Sequence, residues 1–244
     1  MSISAFIIAR LNSKRLPSKN IAFILGAPLI SHLIDRISFS NFVDNIIITT
    51  SNEPTDNTLE NIAHNKDVLC YRGSLDNIMQ RISCAADYYD CDTIIEILGD
   101  NPLVHSKLID DVMEFYIKGN YDYVATVTSE YPLFGLNKKL FPIGIRIQVY
   151  SRIVANRFLE FPDYINNSSK HPSSFIYDHP DIFKIGYFEA KGSWAFLNQP
   201  DLNFAVNYQK DLDIIRDIFD NCYNVSKNFS LRDVAQYLNI NSTD

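Results

Sequence analysis

The stretch SAFIIARLNSKRLPSKN, residues 4–20, joins a short apolar run to a positively charged segment. The apolar run, residues 4–9, has the length and composition of a buried strand. Four cationic residues follow it with no acid between them: Arg10, Lys14, Arg15 and Lys19. The first acidic residue of the chain is Asp35, although the whole chain of 244 residues has a formal net charge of −7. The sequence therefore places a concentrated positive charge directly after its first predicted strand.

Apolar runs alternate with amphipathic segments through the first half of the chain. Strands are predicted at residues 4–9, 45–50, 68–71, 93–98 and 123–127, and helices at residues 28–37, 55–64, 76–89 and 106–119. Proline is acceptable in a first helical turn, as predicted at Pro28, and Ser106 is a suitable N-cap. This alternation of strands and helices indicates βαβ units, so we expect an α/β fold with a mainly parallel sheet.

The alternation ends at about residue 129, where prolines become frequent. Five of them fall between residues 129 and 190, among short predicted strands and turns and one predicted helix at residues 152–161. We predict a single domain over residues 1–244, in which residues 129–190 are an insertion that forms a small lobe or a dimer contact beside the sheet. Beyond it, the pattern predicts a strand at residues 203–206 and helices at residues 209–219 and from Ser230 onward.

Composition and charge narrow the class of protein. Hydrophobic residues make up 46% and charged residues 21% of the chain, which is ordinary for a globular protein with a real core. The acidic balance argues against nucleic acid as a partner, because nucleic-acid binding favours a broadly basic surface. No apolar run approaches the roughly 20 residues that cross a membrane, so we predict a cytoplasmic protein without membrane association. The four cysteines lack C-x-x-C spacing, which favours ordinary thiols over a zinc site or disulfides.

Three polar segments follow predicted strands in the first half of the chain. Ligands of an open α/β sheet bind beyond the carboxyl ends of its strands. The cationic loop after the first strand suits phosphate oxygens, and because it contains no glycine it is neither a P-loop nor a dinucleotide fingerprint. Arg72, in the segment YRGS at residues 71–74, follows the third strand and can reach the same ligand. Asp100, in the turn GDNPL at residues 99–103, follows the fourth strand and can hold Mg²⁺.

Together these three segments indicate a nucleotidyltransferase, in which cations and a metal neutralise charge while a nucleophile attacks a phosphorus atom. Each segment has a simpler interpretation when it is considered alone. The loop can be a solvated basic surface, Ser74 can be a helix cap, and GDNPL can be a tight turn.

Six segments of the chain resemble, in order, the sequence blocks of one known family. They are ARLNSKRLPSKNI (9–21), YRGSLDNIMQR (71–81), LGDNPLV (98–104), FPIGIRIQVYS (141–151), His171 with FIYDHPDIF (175–183), and NFAVNYQKDLDIIR (203–216). These blocks resemble the cytidylyltransferases that make CMP-activated acidic sugars, such as the CMP-acylneuraminate and CMP-Kdo synthetases, and most of all the spore coat polysaccharide branch. The resemblance implies a Rossmann-like α/β domain with helices on both faces of the sheet. It also implies a homodimer formed through the insertion.

The same resemblance implies a reaction and a set of site residues. CMP would pass from CTP to a sugar acid, with release of pyrophosphate, for surface polysaccharide or glycan synthesis. The implied nucleotide-binding residues are Ala9, Arg10, Ser13, Lys14, Asn20, Arg72 and Ser74. The implied catalytic residues are Arg15, Lys19 and Asp100. The implied Mg²⁺ ligands are Asp100 and Asn207, and the residues expected near the sugar are Arg146 and His171.

The chain departs from the family pattern at several acidic positions. Asn207 stands where the family has Asp, and Arg146 and Gln148 replace acids of a Pro-Asp-Gly segment. Two hypotheses explain these exchanges: an unusual, more anionic acceptor, or weakened catalysis in a protein that still binds nucleotide. A glycosyltransferase of similar fold is a further alternative, because Asp90-Cys91-Asp92 has the spacing of an Asp-x-Asp metal motif. That motif normally follows a strand, whereas here it precedes one.

Overall fold

Strands and helices alternate through most of the chain in the computed structural model, which describes residues 1–130, 137–161, 175–177, 179–223 and 226–240. The strands are β1 (Ile3–Ile8), β2 (Phe23–Ile24), β3 (Ala27–Pro28), β4 (Asn45–Ser51), β5 (Leu69–Gly73), β6 (Thr93–Leu98), β7 (Tyr123–Thr126), β8 (Gln148–Ser151) and β9 (Ile185–Phe188). The helices are α1 (Leu29–Ile37), α2 (Asn57–Asn65), α3 (Ile78–Tyr88), α4 (Ser106–Gly119), α5 (Arg152–Phe158), α6 (Gln209–Cys222) and α7 (Leu231–Tyr237). Single 3₁₀ segments cover Lys19–Ile21, Pro54–Asp56 and Gly192–Leu197.

Seven strands form the central sheet in the order β5-β4-β1-β6-β8-β7-β9. β1 pairs in parallel with β4 and with β6, so that Ile7 faces Ile48 on one side and Ile97 on the other. β4 pairs in parallel with β5, and β7 with β9, whereas β8 runs antiparallel to both β6 and β7. The prediction of a mainly parallel sheet is confirmed. The carboxyl ends of β1, β4, β5 and β6 consequently share one edge of the sheet.

Side chains of β1 alternate between two hydrophobic cores, one on each face of the sheet. Ile7 packs in the core that includes Leu33 of α1, and α4, α6 and α7 contribute to the same core. Phe6 points to the other face and packs in the core formed with Ile82 of α3 and Ala155 of α5. Burial of a large apolar side chain of this kind stabilises a fold by about 1.5–3 kcal/mol. The expectation of helices on both faces is confirmed.

Residues 129–190, predicted to form an insertion, contribute two strands to the central sheet. β8 lies between β6 and β7, and β9 lies at the sheet edge beside β7. α5 follows β8 directly and ends at Phe158, before the predicted end of that helix at residue 161. Part of this segment therefore belongs to the sheet, and a lobe or dimer contact formed by the rest stays a prediction.

Helix caps agree with the sequence at α7 and differ from it at α4. Ser230 caps α7, and its capping box with Asp233 is the one that the sequence predicts. At α4 the N-cap is His105, whose Nδ1 accepts a hydrogen bond from the Lys107 amide at 3.1 Å. Ser106 is the first helical residue instead of the cap.

The segment at residues 203–206 lies beside residues 141–145 without forming a regular strand. An isolated bridge joins Ile143 to Asn203, and the Phe204 amide donates to the Ile143 carbonyl at 2.7 Å. The prediction of a strand here is wrong, because the chain bends at residue 205 and the pairing stops.

Gly144 fixes the path of the chain toward the carboxyl edge of the sheet. Its φ is +89°, and a Cβ at this position would lie 2.2 Å from the nitrogen of Ala205. Glycine alone permits this conformation and this close approach. The backbone amide of Val206, the residue after Ala205, donates to the carbonyl of Asp100 at 2.9 Å. Residues 206–207 are thereby held beside the end of β6.

Within the described residues, no helix combines the length and the apolar character needed to cross a membrane.

Candidate active site

A cleft of about 430 Å³ opens at the carboxyl ends of β1 and β6. This volume lies in the range of small-molecule binding sites. Eight residues that the sequence predicts for the site line it together: Ala9, Arg10, Ser13, Lys14, Arg15, Lys19, Asn20 and Asp100. The structure therefore brings the cationic loop and the GDNPL turn into one cleft, and the roles of these residues stay predictions.

Backbone hydrogen bonds fold the cationic loop back onto its own beginning. The amides of Ser13 and Ser18 both donate to the carbonyl of Leu11, each at 2.9 Å. Ser18 adopts a left-handed conformation with φ of 59°, which turns the chain into the short segment Lys19–Ile21. The amide group of Asn20 donates to the carbonyl of Arg10 at 3.1 Å. These contacts hold the loop in a closed shape that needs no glycine-rich turn.

Asp56, in the connection between β4 and α2, anchors the cationic loop. Its Oδ1 accepts from the amide of Leu11 at 2.8 Å, and its Oδ2 accepts from the amide and the hydroxyl of Ser51. Burial alone would raise the pKa of this carboxyl group, but the hydrogen bonds from Ser51 and Leu11 outweigh that effect and lower the pKa below its ordinary value. Asp56 therefore stays ionised at neutral pH and ties the loop to the end of β4.

Three of the four loop cations are exposed at the mouth of the cleft. They are Arg10, Lys14 and Arg15. Among the described residues, none of the three forms an ion pair with a carboxylate. The guanidinium carbon of Arg15 lies 5.9 Å from the centre of the Tyr208 ring, and this cation–π contact orients it toward residues 206–208. The cleft consequently presents unneutralised positive charge to an incoming anion.

The fourth cation, Lys19, is 7% exposed and joins the two sides of the site. Its Nζ donates to the Oδ2 of Asp100 in a short contact. It also donates to the carbonyl of Val206 at 2.7 Å and to the Oδ1 of Asn207 at 3.3 Å. Lys19 thus holds the GDNPL turn and residues 206–207 around one ammonium group.

Gly99 allows the turn that carries Asp100 to lie directly on β1. A Cβ at Gly99 would stand 3.0 Å from the Cβ of Ala9 and 3.1 Å from the carbonyl oxygen of Ile8. These distances are tighter than ordinary contacts, so a larger residue would push Asp100 away from the loop.

Two side-chain oxygens near Lys19, one from Asp100 in the cleft wall and one from Asn207, fit a hard divalent cation such as Mg²⁺. The Oδ1 of Asp100 is buried and has no hydrogen-bond partner in the described part of the chain, and the Oδ1 of Asn207 lies near the same ammonium. Mg²⁺ prefers oxygen ligands and often takes one or two carboxylates, with phosphates and water completing its shell. The described residues contain no cluster of three or more His, Cys, Asp or Glu side chains arranged to hold a metal. The donor set therefore fits an ion whose remaining ligands come from outside the described residues.

The structure does not bring Arg72 to the cleft, although the sequence predicts it there. Its Nη1 donates to Asn57 at 2.6 Å and to Glu60 at 2.9 Å, both on α2. Its remaining donors bond the carbonyls of Ser51 and Glu53. The nearby acceptors of α2 draw the guanidinium onto that helix, and it is absent from the described cleft wall.

Arg146, predicted to contact the sugar, lies inside the protein instead of lining the cleft. It is 1% exposed. Its guanidinium donates to Thr128, Gln148 and Tyr177 at 3.3–3.5 Å. Arg146 lies two residues before β8, so its side chain lies on the same side of the chain as that of Gln148, toward the buried polar groups of the sheet.

Ser74 and His171 complete the predicted site. The hydroxyl of Ser74 accepts from the amide of Asn77 at 3.0 Å, so this residue shapes the turn before α3. Asn77 in turn caps α3 by accepting from the amide of Gln80 at 2.9 Å. His171 lies outside the described residues.

One cleft residue that sequence reasoning missed is Arg81 of α3. It lies on the inward face of that helix, where Ile78 and Ile82 are apolar neighbours. A charged side chain on an otherwise apolar helix face was the available signal, because a buried charge requires a partner or a ligand. Asp56 was also missed, and nothing in its spacing distinguishes it from an ordinary surface acid.

The Asp90-Cys91-Asp92 motif lies at the opposite end of the sheet from the cleft. The carboxylates of Asp90 and Asp92 pair with Arg152 at 3.0 and 3.7 Å. This pairing gives the motif a structural role away from the cleft.

Comparisons with known proteins agree on one family. A sequence profile for cytidylyltransferases matches residues 4–218. The spore coat polysaccharide biosynthesis protein SpsF of Bacillus subtilis is 24% identical over 219 residues, covering 88% of this chain and 85% of that protein. A 3-deoxy-manno-octulosonate cytidylyltransferase of Hydrogenovibrio crunogenus is 30% identical over 125 residues, covering 50% of each chain. The solved structure of a cytidylyltransferase from Leptospira borgpetersenii has a TM-score of 0.83 at 22% identity, covering 100% of this chain and 98% of that one.

Proposed function

The chain belongs to the cytidylyltransferase family, and from this premise we propose that it transfers CMP from CTP to a sugar acid with release of pyrophosphate. The proposal rests on the charged side chains that the structure brings together in one cleft. That cleft holds three exposed cations that form no ion pair with a carboxylate of the described residues, and it holds the buried pair of Lys19 and Asp100. Exposed cations suit a triphosphate, and a buried cation–carboxylate pair suits a reacting centre where charge changes.

The loop cations bind and orient the triphosphate. Arg10 and Arg15 present planar guanidinium groups that can fork onto phosphate oxygens, while Lys14 adds a point charge. Because the loop is closed by its own backbone bonds, these groups are placed before the nucleotide arrives. Such preorganisation favours charge stabilisation in the transition state.

The reaction needs no covalent intermediate with the protein. A hydroxyl of the acceptor attacks the α-phosphorus of CTP, a new P–O bond forms, and the bond to pyrophosphate breaks in line with it. The hydroxyl proton passes to solvent. Lys19, held by Asp100 and Asn207, supplies fixed positive charge next to the reacting phosphate.

We include Mg²⁺ as the cofactor in this proposal. Asp100 would hold the ion through its Oδ1, which has no hydrogen-bond partner among the described residues, with Asn207 as a neutral second oxygen. When bound, the ion would neutralise phosphate charge and assist the departure of pyrophosphate.

A sugar acid is the proposed acceptor because one relative is named for 3-deoxy-manno-octulosonate, an acidic sugar. A second relative, named for spore coat polysaccharide biosynthesis, supports a role in polysaccharide synthesis. An anionic acceptor is also compatible with the excess of positive groups around the cleft. A homodimer is part of the proposal and rests on the family resemblance alone.

Nucleotide binding without turnover is a second candidate function. Asn207 offers Lys19 a neutral oxygen at 3.3 Å, so Asp100 is the one carboxylate that contacts this ammonium among the described residues. A site with a single carboxylate binds a divalent cation less firmly than one with two.

Pyrophosphate release separates the two candidates. The protein is incubated with CTP, Mg²⁺ and a panel of sugar acids, and with neutral sugars as a control. The proposal predicts release that depends on both CTP and a sugar acid. Binding of CTP without release for any acceptor would favour the second candidate, and neither binding nor release would reject both.

A further inference from the structure

Arg81 of α3 is a buried arginine in the wall of the cleft. It is 2% exposed. Four apolar residues also line the cleft: Ile8, Leu75, Ile78 and Leu98. The exposed cations of the loop complete most of the remaining lining. Arg81 therefore offers a desolvated guanidinium group in a cleft wall that also contains apolar side chains.

The hydrogen bonds of Arg81 leave one edge of its guanidinium group unused. Nη1 donates to the carbonyl of Ser74 at 2.7 Å. Nε is buried and has no hydrogen-bond partner among the described residues. The hydrogen bond from Nη1 is the one that the Arg81 guanidinium makes to the described part of the chain, so Nη2 is also unused there. No described carboxylate lies within ion-pair distance. Nε and Nη2 point the same way from the planar group, so together they form a fork of two parallel donors.

The charge of Arg81 is costly where it stands. Burial, and to a lesser extent the nearby charge of Arg10, lowers its pKa to about 10, although Asp56 and Glu96 oppose this effect. At neutral pH the group remains protonated. Buried donors without acceptors destabilise a protein unless a ligand satisfies them. The unused edge is thus better explained by a ligand than by a contribution to stability.

The backbone fixes the direction of this side chain. Gly73 lies under its aliphatic stem, and a Cβ at Gly73 would come within 3.0 Å of the Cγ of Arg81 and 3.1 Å of the Tyr71 ring. The absence of a side chain at Gly73 allows the stem to lie flat on β5. The fork is therefore held in place before any ligand binds.

We infer that Arg81 reads the base of the nucleotide by donating its Nε–H and Nη2–H to the O2 and N3 atoms of cytosine. This inference rests on the proposed function and extends it to base selection. Cytosine presents O2 and N3 as two adjacent acceptors in one plane, which matches a two-donor fork. Uracil carries a hydrogen on N3, so the same fork would meet a donor there. The flanking apolar side chains suit the faces of a neutral ring better than a phosphate.

The test is calorimetric titration of the full chain with CTP and with UTP, without an acceptor. We expect the parent protein to bind CTP at least tenfold more tightly than UTP, since a hydrogen bond to a charged donor contributes about that factor or more. Arg81→Met should reduce this ratio by roughly tenfold, mainly by weakening CTP. Arg81→Lys should also reduce it, because an ammonium lacks the planar fork. Arg15→Ala is the matched control: it should weaken CTP and UTP by the same factor and keep the ratio.

A second arm does not depend on how well the variants fold. The parent protein is titrated with the CTP analogue in which the ring N3 is replaced by C–H. We expect about tenfold weaker binding than for CTP. Equal binding of CTP and this analogue by the parent would overturn the inference. Gly73→Ala, which pushes the stem of Arg81 without removing its charge, should lower the CTP-to-UTP ratio in the same direction as Arg81→Met.

The outcomes separate this inference from the proposed function. If the parent binds neither nucleotide, both fail. If it binds CTP and releases pyrophosphate while Arg81→Met keeps the CTP-to-UTP ratio, the role of Arg81 fails alone. An Arg81 variant that keeps the CTP-to-UTP ratio but raises the KM of the sugar acid would indicate that Nε and Nη2 bind the acceptor carboxylate. That result would overturn the inference that Arg81 reads the base.

Discussion

Removing the carboxylate of Asp100 should both destabilise the fold and abolish most activity. The Lys19 and Asp100 side chains are 8% and 17% exposed, so Asp100→Ala leaves a largely buried ammonium without its carboxylate. Breaking a buried pair from one side costs about 3–5 kcal/mol. Lys19 keeps its contacts to Val206 and Asn207, so we expect the lower end, about 3 kcal/mol. For a chain of this size that is a fall in Tm of roughly 6–12 °C.

The effect on turnover is separable from the effect on stability. A loss of about 3–4 kcal/mol of transition-state stabilisation lowers the rate by roughly two to three powers of ten. The double variant Asp100→Ala with Lys19→Met removes the stranded charge and should recover much of the Tm, because a matched apolar replacement is often neutral. It should recover no turnover. Glu160→Ala, which removes one exposed carboxylate, is the control for net charge.

Thermal denaturation and initial rates of pyrophosphate release measure the two effects on the same preparations. A Tm within about 2 °C of the parent for Asp100→Ala would show that the pair is not buried as described. Near-normal turnover in that variant would remove Asp100 from the reacting centre.

Three further predictions follow from particular contacts. Arg15→Ala should weaken CTP binding, measured by calorimetry, roughly tenfold. Arg72→Ala should change it by no more than about twofold, because Arg72 is bonded to α2. A larger loss of CTP affinity in Arg72→Ala than in Arg15→Ala would return Arg72 to the site. Asn207→Asp should lower the Mg²⁺ concentration for half-maximal turnover if Asn207 is a weakened ligand, and a raised acceptor KM with no change in Mg²⁺ dependence would instead indicate repulsion of an anionic acceptor. Burial, assisted by the charge of Arg36, lowers the pKa of His105 from 6.5 to about 4; the unfolded state therefore binds more protons between these values, so stability should fall as pH falls from 6.5 toward 4. His105→Gln should flatten the dependence of Tm on pH in that window, and an unchanged slope would contradict the buried, neutral state of His105.

The strands that carry the site could be predicted from the sequence because their signals are local. β6 spans Thr93–Leu98, as the apolar run indicates, and β1 and β4 lie within one residue of their predicted bounds. Parallel pairing predicts that the carboxyl ends of β1 and β6 lie at the same edge of the sheet. The structure adds that β1 and β6 are direct neighbours, which places the cationic loop beside Asp100.

The remaining features depend on pairings between residues far apart in the sequence. Nothing in Gln148–Ser151 shows that this strand enters the sheet between β6 and β7 in the antiparallel direction. The sequence predicts Arg72 in the cleft because its strand ends at the same edge of the sheet. Two strands separate β5 from β6, however, and α2 offers closer acceptors. Arg146 lies two residues before the short strand β8, and for so few residues periodicity does not determine which side chains are buried.

Phosphorus NMR of a single reaction mixture follows both products of cytidylyl transfer at once. The parent protein is combined with CTP, Mg²⁺ and 3-deoxy-manno-octulosonate or another sugar acid, and the resonances are followed with time. We expect the three signals of CTP to decline together while pyrophosphate and one phosphodiester signal appear in equal amounts. Loss of only the terminal phosphate, or unchanged CTP with every sugar acid while CTP still binds, would contradict cytidylyl transfer.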